Sequence, residues 1–203
     1  MNFNLATHKS CSSASGRPDY CGPLSYDPEP DRLFRNRGDP GSGSGQAPTF
    51  EDVSGRAGIL AAYRTGLGVV AADFDDDGWL DIYVTNDGMA NFLWRNQGEG
   101  RFRDGAVLAG AAVNFQEVAE ASMGVDAGDL DNDRDEDLFM THLIRESNTL
   151  YLNEGHALFQ DASTMSRLAA SSVPFTGFGT ALFRHGQRRL ARRDRGQRSR
   201  QNP

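Results

Sequence analysis

Gly68-Val-Val-Ala-Ala-Asp-Phe-Asp-Asp-Asp-Gly-Trp-Leu-Asp81 recurs 56 residues downstream as Gly124-Val-Asp-Ala-Gly-Asp-Leu-Asp-Asn-Asp-Arg-Asp-Glu-Asp137. Each copy runs into a short apolar stretch, Ile82-Tyr-Val-Thr85 or Leu138-Phe-Met-Thr141. A second shared element follows, Leu93-Trp-Arg-Asn-Gln-Gly98 and Leu150-Tyr-Leu-Asn-Glu-Gly155. A third closes each copy, Arg101-Phe-Arg-Asp104 and Leu158-Phe-Gln-Asp161. The later elements are offset by 57, so the second copy has one residue inserted in its middle loop.

Read as strands, the first copy predicts four, at 68–72, 81–85, 91–95 and 101–106. The Asn-x-Gly step between the last two is a hairpin turn, because Asn and Gly tolerate positive φ. A four-stranded unit of fewer than 60 residues, repeated, is the pattern of propeller blades. Helical repeats do not fit, because the copies lack apolar residues at i, i+3 and i+4 and are dense in Gly and Asp. The fold expected is all-β: a partial β-propeller with two full four-stranded blades, flanking part-blades, and acidic loops between first and second strands.

Outward from the two copies the pattern continues in pieces. Residues 1–30 form an irregular N-terminal segment. Residues 31–66 read as the back half of a blade: Leu33-Phe-Arg-Asn-Arg-Gly38 and Thr49-Phe-Glu-Asp52 match the second and third elements around a Gly/Ser/Pro-rich insertion. Residues 67–122 and 123–174 are the two blades, and residues 175–183 the first strand of a further one. Residues 184–203 form a basic tail where a third acidic loop falls due.

The acidic loops carry the chemistry. Asp73, Asp75, Asp77 and Asp81 stand at loop positions 1, 3, 5 and 9, with Gly78 at position 6. Calcium takes six to eight oxygen ligands, and alternate carboxylates on a curled chain supply them. Trp79 is expected to add its backbone carbonyl, and Asp81 to close the site directly or through water. Asp129, Asp131, Asp133 and Asp137 repeat the arrangement, with Asp135 as a further carboxylate and Arg134 in place of the glycine. A left-handed residue other than Gly costs roughly 1 kcal/mol, so the second loop is expected to be the weaker site. Position 12 of the first loop is Val84 rather than a bidentate Glu, which excludes a helix–loop–helix calcium site. Four carboxylates crowded into one turn repel one another unless a cation sits among them, which argues against solvated acidic turns.

The 203 residues carry a net charge of -7. The tail holds eight of the 21 basic residues and one acid, which leaves residues 1–183 with 13 basic against 27 acidic residues, a net -14. An acidic body suits cations and argues against a nucleic-acid partner. No stretch approaches the roughly 20 apolar residues of a membrane-spanning helix, and residues 1–17 lack the apolar run of a signal peptide. Cys11 and Cys21 close a small disulfide loop in an oxidising compartment and stay free in a reducing one. Taken literally, the tail is a disordered basic arm that can contact nucleic acid or an anionic surface. The preferred reading is a shift in reading frame. Codons for its Arg-rich run, read one base out of register, can spell Asp-Asn-Asp-Gly-Trp-Leu-Asp, the missing loop.

These residues resemble the FG-GAP repeat, also described as VCBS-like. Leu67-Gly68, Met123-Gly124 and Phe178-Gly179 stand where that family has Phe-Gly. Asp19-Tyr-Cys-Gly-Pro23, Asp31-Arg-Leu-Phe-Arg-Asn36 and Phe50-Glu-Asp-Val-Ser54 look like the ASPIC/UnbV group. The resemblance implies a calcium-stabilised propeller outside the cytoplasm, extracellular or periplasmic, with a role in adhesion or ligand binding rather than catalysis. It implies that this chain is a fragment whose partners are a protein or glycan ligand and the remaining blades of a parent propeller. The alternative is the propeller portion of a secreted carbohydrate-active or hydrolytic enzyme. No acid/base pair stands apart from the acidic loops, and no Ser lies in an arrangement that would make it a nucleophile. His142 and His156 read as surface residues. Trp79 and Trp94 read as packing between blades, with stacking on a sugar as the lesser option.

Overall fold

A computed structural model of the chain describes residues 9–13, 15–38 and 48–183. The basic tail and most of the Gly/Ser-rich insertion lie outside the described residues.

The described chain is built of β-strands with two short α-helices. β1 (Cys11–Ser12) pairs with β2 (Pro18–Asp19), and Cys11 and Cys21 are joined by a disulfide across this hairpin. β3 (Phe34–Asn36) pairs with β4 (Phe50–Asp52), followed by α1 (Ser54–Ala57). Two four-stranded antiparallel sheets follow. The first is β5 (Gly66–Ala72), β6 (Asp81–Asn86), β7 (Phe92–Asn96) and β8 (Phe102–Asp104). The second is β9 (Val125–Gly128), β10 (Asp137–Met140), β11 (Thr149–Asn153) and β12 (Phe159–Asp161). α2 (Leu168–Ser172) comes last. Strands lie in sequence order in both sheets, the meander of a propeller blade. The β3–β4 hairpin is the expected back half of an earlier unit. The two helices carry no apolar periodicity long enough to have been read from sequence.

The alternation along each strand explains how the sheets stack. Tyr83 and Leu93 enter a core shared with Leu138, Met140, Tyr151 and Phe159 of the second blade. Their neighbours Val84, Phe92 and Trp94 point the other way, into a core with Ala57 and Ile59. The first blade is therefore buried on both faces. Each large buried side chain contributes roughly 1.5–3 kcal/mol. Trp94 stacks on Phe92 at 4.8 Å between centroids, so its role is packing.

Close approach of the blades needs a residue without a side chain. A Cβ on Gly68 would lie 2.6 Å from Thr85 Oγ1 and nearer still to the Met123 carbonyl oxygen. Thr85 donates to that same carbonyl at 2.8 Å and accepts from the Gly68 N–H at 2.9 Å. Gly124 repeats the arrangement: a Cβ there would meet Gly179 Cα at 2.6 Å, and its N–H donates to Thr141 Oγ1.

Segment 175–183, expected as a first strand, makes no ladder pairs among the described residues. It still docks beside β9, with the Leu182 N–H donating to Asp126 at 2.6 Å. In both blades the first strand pairs with the second, and the residues that follow this segment lie outside the described ones.

Candidate metal centre

Each acidic loop bridges the first two strands of a blade and is pinned by its last aspartate. Asp81 Oδ1 accepts from the Asn96 N–H at 2.7 Å, and Asp137 Oδ1 accepts from the Asn153 N–H at 2.9 Å. Both aspartates are fully buried. The same asparagines start the hairpin turns, their Oδ1 atoms accepting from Gly98 and Gly155. Loop and hairpin thus share one anchor, which is why the two elements recur together.

Within the loops, side chains cap backbone amides. Asp73 accepts from the N–H groups of Asp77 and Gly78, and Asp77 from that of Trp79. In the second blade Asp129 accepts from Asn132, Asp131 from Asp133, and Asp133 from Asp135. Position 6 is left-handed in both loops, φ 90° at Gly78 and 90° at Arg134. Arg134 therefore sits in the conformation that disfavours it, by about 1 kcal/mol.

Carboxylate oxygens of Asp73, Asp75 and Asp77 lie within 4.8 Å of one another, as do those of Asp129, Asp131 and Asp137. Two buried oxygens of the first loop, Asp75 Oδ1 and Asp81 Oδ2, have no hydrogen-bond partner. Burial pushes the Asp81 carboxyl up to about 6, and the Asp75 charge adds to it against the Asn96 N–H donor. Burial likewise raises Asp137, with Asp131 and Asp133 adding to the rise. Orphaned buried carboxylate oxygens beside further carboxylates fit a hard, oxygen-liganded cation. Asp81, Asp133 and Asp135, expected as further ligands, fall outside the two carboxylate clusters.

Sequence reading missed one residue of the first loop. Arg95 on β7 forms an ion pair with Asp75. Its counterpart one blade on is Leu152, since both hold the same ladder position, Arg95 opposite Arg103 and Leu152 opposite Gln160. That difference in the repeat was the available signal.

His142 overturns a surface reading. It is 1% exposed, and neither ring nitrogen has a partner. Burial lowers its pKa to about 4, and the Asp161 charge opposes this only in part. The blade-one counterpart is Asn86, also buried. His156 is exposed, on the turn after Asn153. Trp79 is 55% exposed and lines an open cleft that Ala157 and Leu158 of the second blade also border.

Comparison with known proteins agrees with this architecture. The family model described as FG-GAP-like repeat matches residues 14–84 and again 73–140. Cartilage acidic protein 1 of Xenopus tropicalis is 32% identical over 117 residues, covering 56% of this chain and 16% of that protein. Human cartilage acidic protein 1 is 31% identical over 123 residues, covering 59% and 16%. The chain therefore spans about a sixth of the length of the curated relatives it matches. With its two sheets each opening on a glycine-led strand and an acidic loop, the chain belongs to the FG-GAP-like repeat family.

Proposed function

We propose that this chain is a calcium-binding repeat module that serves adhesion or ligand binding in an extracytoplasmic protein. The observation that carries the reading is the pair of orphaned buried oxygens, Asp75 Oδ1 and Asp81 Oδ2, beside the clustered carboxylates of the first loop. The ligand set is Asp73, Asp75, Asp77 and Asp81 with the Trp79 carbonyl, and in the second blade Asp129, Asp131, Asp133, Asp135 and Asp137. An all-oxygen set of carboxylates favours calcium over the softer transition metals. The Cys11–Cys21 disulfide supports an oxidising compartment, where calcium is abundant. Among the described residues no helix is long and apolar enough to cross a membrane. The role assigned to the ion is structural: it neutralises each loop and so holds first and second strands together. The remaining blades of a longer propeller, and a protein or glycan ligand, are the partners this reading implies.

Thermal melting with and without calcium tests it. For sites of millimolar strength, about 5 mM calcium adds on the order of 1 kcal/mol each, a rise of about 2–4 °C per site in a chain of this size. The double substitution D73N/D75N should remove the first site's share. A melting temperature unmoved by calcium in the unsubstituted chain overturns the proposal.

A further inference from the structure

We infer that the cleft beside the first acidic loop is a binding site for a carboxylate-bearing saccharide. This names a ligand class for the binding module proposed above, and it rests on that reading only for its biological sense.

The cleft holds about 490 Å³, within the usual range for small-ligand sites. Arg95, Arg103, Trp79, Asn96 and Gln97 line it, beside the loop carboxylates Asp75 and Asp77 and the Arg64-paired Asp104. Arg95 and Arg103 stand directly opposite each other on β7 and β8. Like charges opposite one another on a sheet repel, and the fold does not need them, because the second blade builds the same ladder pair from Leu152 and Gln160. The first blade also makes room for the arginine. A Cβ on Gly105 would come within 3.1 Å of Arg95 Cδ, and the second blade has Ala162 at that place. Two guanidinium groups and a cleared backbone, present in one blade and absent from its sister, point to an anion that lies between them.

The rest of the wall selects the kind of anion. A planar guanidinium matches a carboxylate in bidentate geometry. The exposed Trp79 indole offers a flat apolar face, and the Asn96 and Gln97 amides offer donors and acceptors for hydroxyl groups. That combination suits a sugar ring carrying one carboxylate. A densely charged polyanion is disfavoured by the net -14 of residues 1–183. Arg95 is spent on Asp75 when the loop holds no cation. An ion on Asp73, Asp75 and Asp77 competes for that carboxylate and turns the cleft more positive, so calcium is expected to strengthen sugar binding.

The test is fluorescence titration of the full chain with a galacturonate trimer, against galactotriose as the neutral control. Trp94 is buried, so quenching reports on Trp79. The trimer should quench with saturation below about 10 mM, and galactotriose should bind about tenfold more weakly or not at all. R103Q and R95L install the residues the second blade carries, and so test the site without a foreign side chain. Each should weaken trimer binding about tenfold, R103Q at an unchanged melting temperature and R95L at a lowered one, because R95L removes the partner of the buried Asp75 carboxylate. No quenching of the cooperatively folded chain by the trimer, equal binding of the neutral sugar, or full binding by R103Q overturns the inference. Terbium luminescence sensitised by Trp79, read without sugar, reports the loop ion separately. A terbium signal with no sugar binding removes the cleft and leaves the metal reading. Sugar binding without a terbium signal keeps the cleft and removes the ion from it.

Discussion

Replacing His142 with asparagine, the residue the first blade carries at the same place, should remove one acid-sensitive component of the chain's stability. His142 is neutral in the folded state because burial lowers its pKa from 6.5 to about 4. The sign follows from proton uptake. The unfolded chain binds a proton at this residue below about pH 6.5, and the folded chain refuses it until about pH 4. Stability is therefore fully present above the unfolded pKa and declines as pH falls through this window. The drop of some two and a half pH units corresponds to about 3 kcal/mol at 1.36 kcal/mol per unit. Urea unfolding in EDTA at steps between about pH 7.5 and pH 4 measures it, and EDTA removes any ion held by the loops. Both proteins share the titration of Asp137 and the other carboxylates, so the difference between their curves isolates His142. Across the window the wild-type stability should drop relative to that of H142N by about 3 kcal/mol, whatever slope Asp81, Glu120 and the other shared carboxylates give both curves. Parallel curves would refute the reasoning, because they would mean that His142 takes up its proton in the folded state as readily as in the unfolded one.

Two substitutions probe the repeat itself. G68A places a methyl group against the Met123 carbonyl and Thr85 Oγ1, and should cost about 3 kcal/mol in urea unfolding; a loss below about 0.5 kcal/mol would show that the blades separate easily at this point. R134G restores glycine at a position with φ 90° and should stabilise the chain in EDTA by about 1 kcal/mol. It should also tighten terbium binding at the second loop, by removing a positive charge beside it.

Much of the blade was legible from residue spacing. The two offsets, 56 and then 57, located all eight strands of the paired sheets to within a few residues. They could do so because strand, loop and hairpin are local, and each element carries its own signal: alternation for strands, Asn-x-Gly for turns, Asp-x-Asp-x-Asp for the loop. The anchoring of Asp81 by Asn96 and of Asp137 by Asn153 was only implicit, although both pairs lay in the repeat.

What the chain's own order of residues determined was the unit: four strands, their sequence, the acidic loop between the first two, and its recurrence at a fixed offset. Tertiary structure decided what each unit faces. Packing beyond the local repeat buries His142, leaves Trp79 exposed while Trp94 is hidden against Ala57 and Ile59, and brings Arg95 on β7 to Asp75 in the loop before β6. None of these follows from local spacing, because burial and charge pairing depend on residues brought together from strands that are far apart along the chain. The glycine at position 68 stands between the two kinds of knowledge. Its place in the repeat was plain from the sequence, and its reason, the Met123 carbonyl of the neighbouring blade, was not.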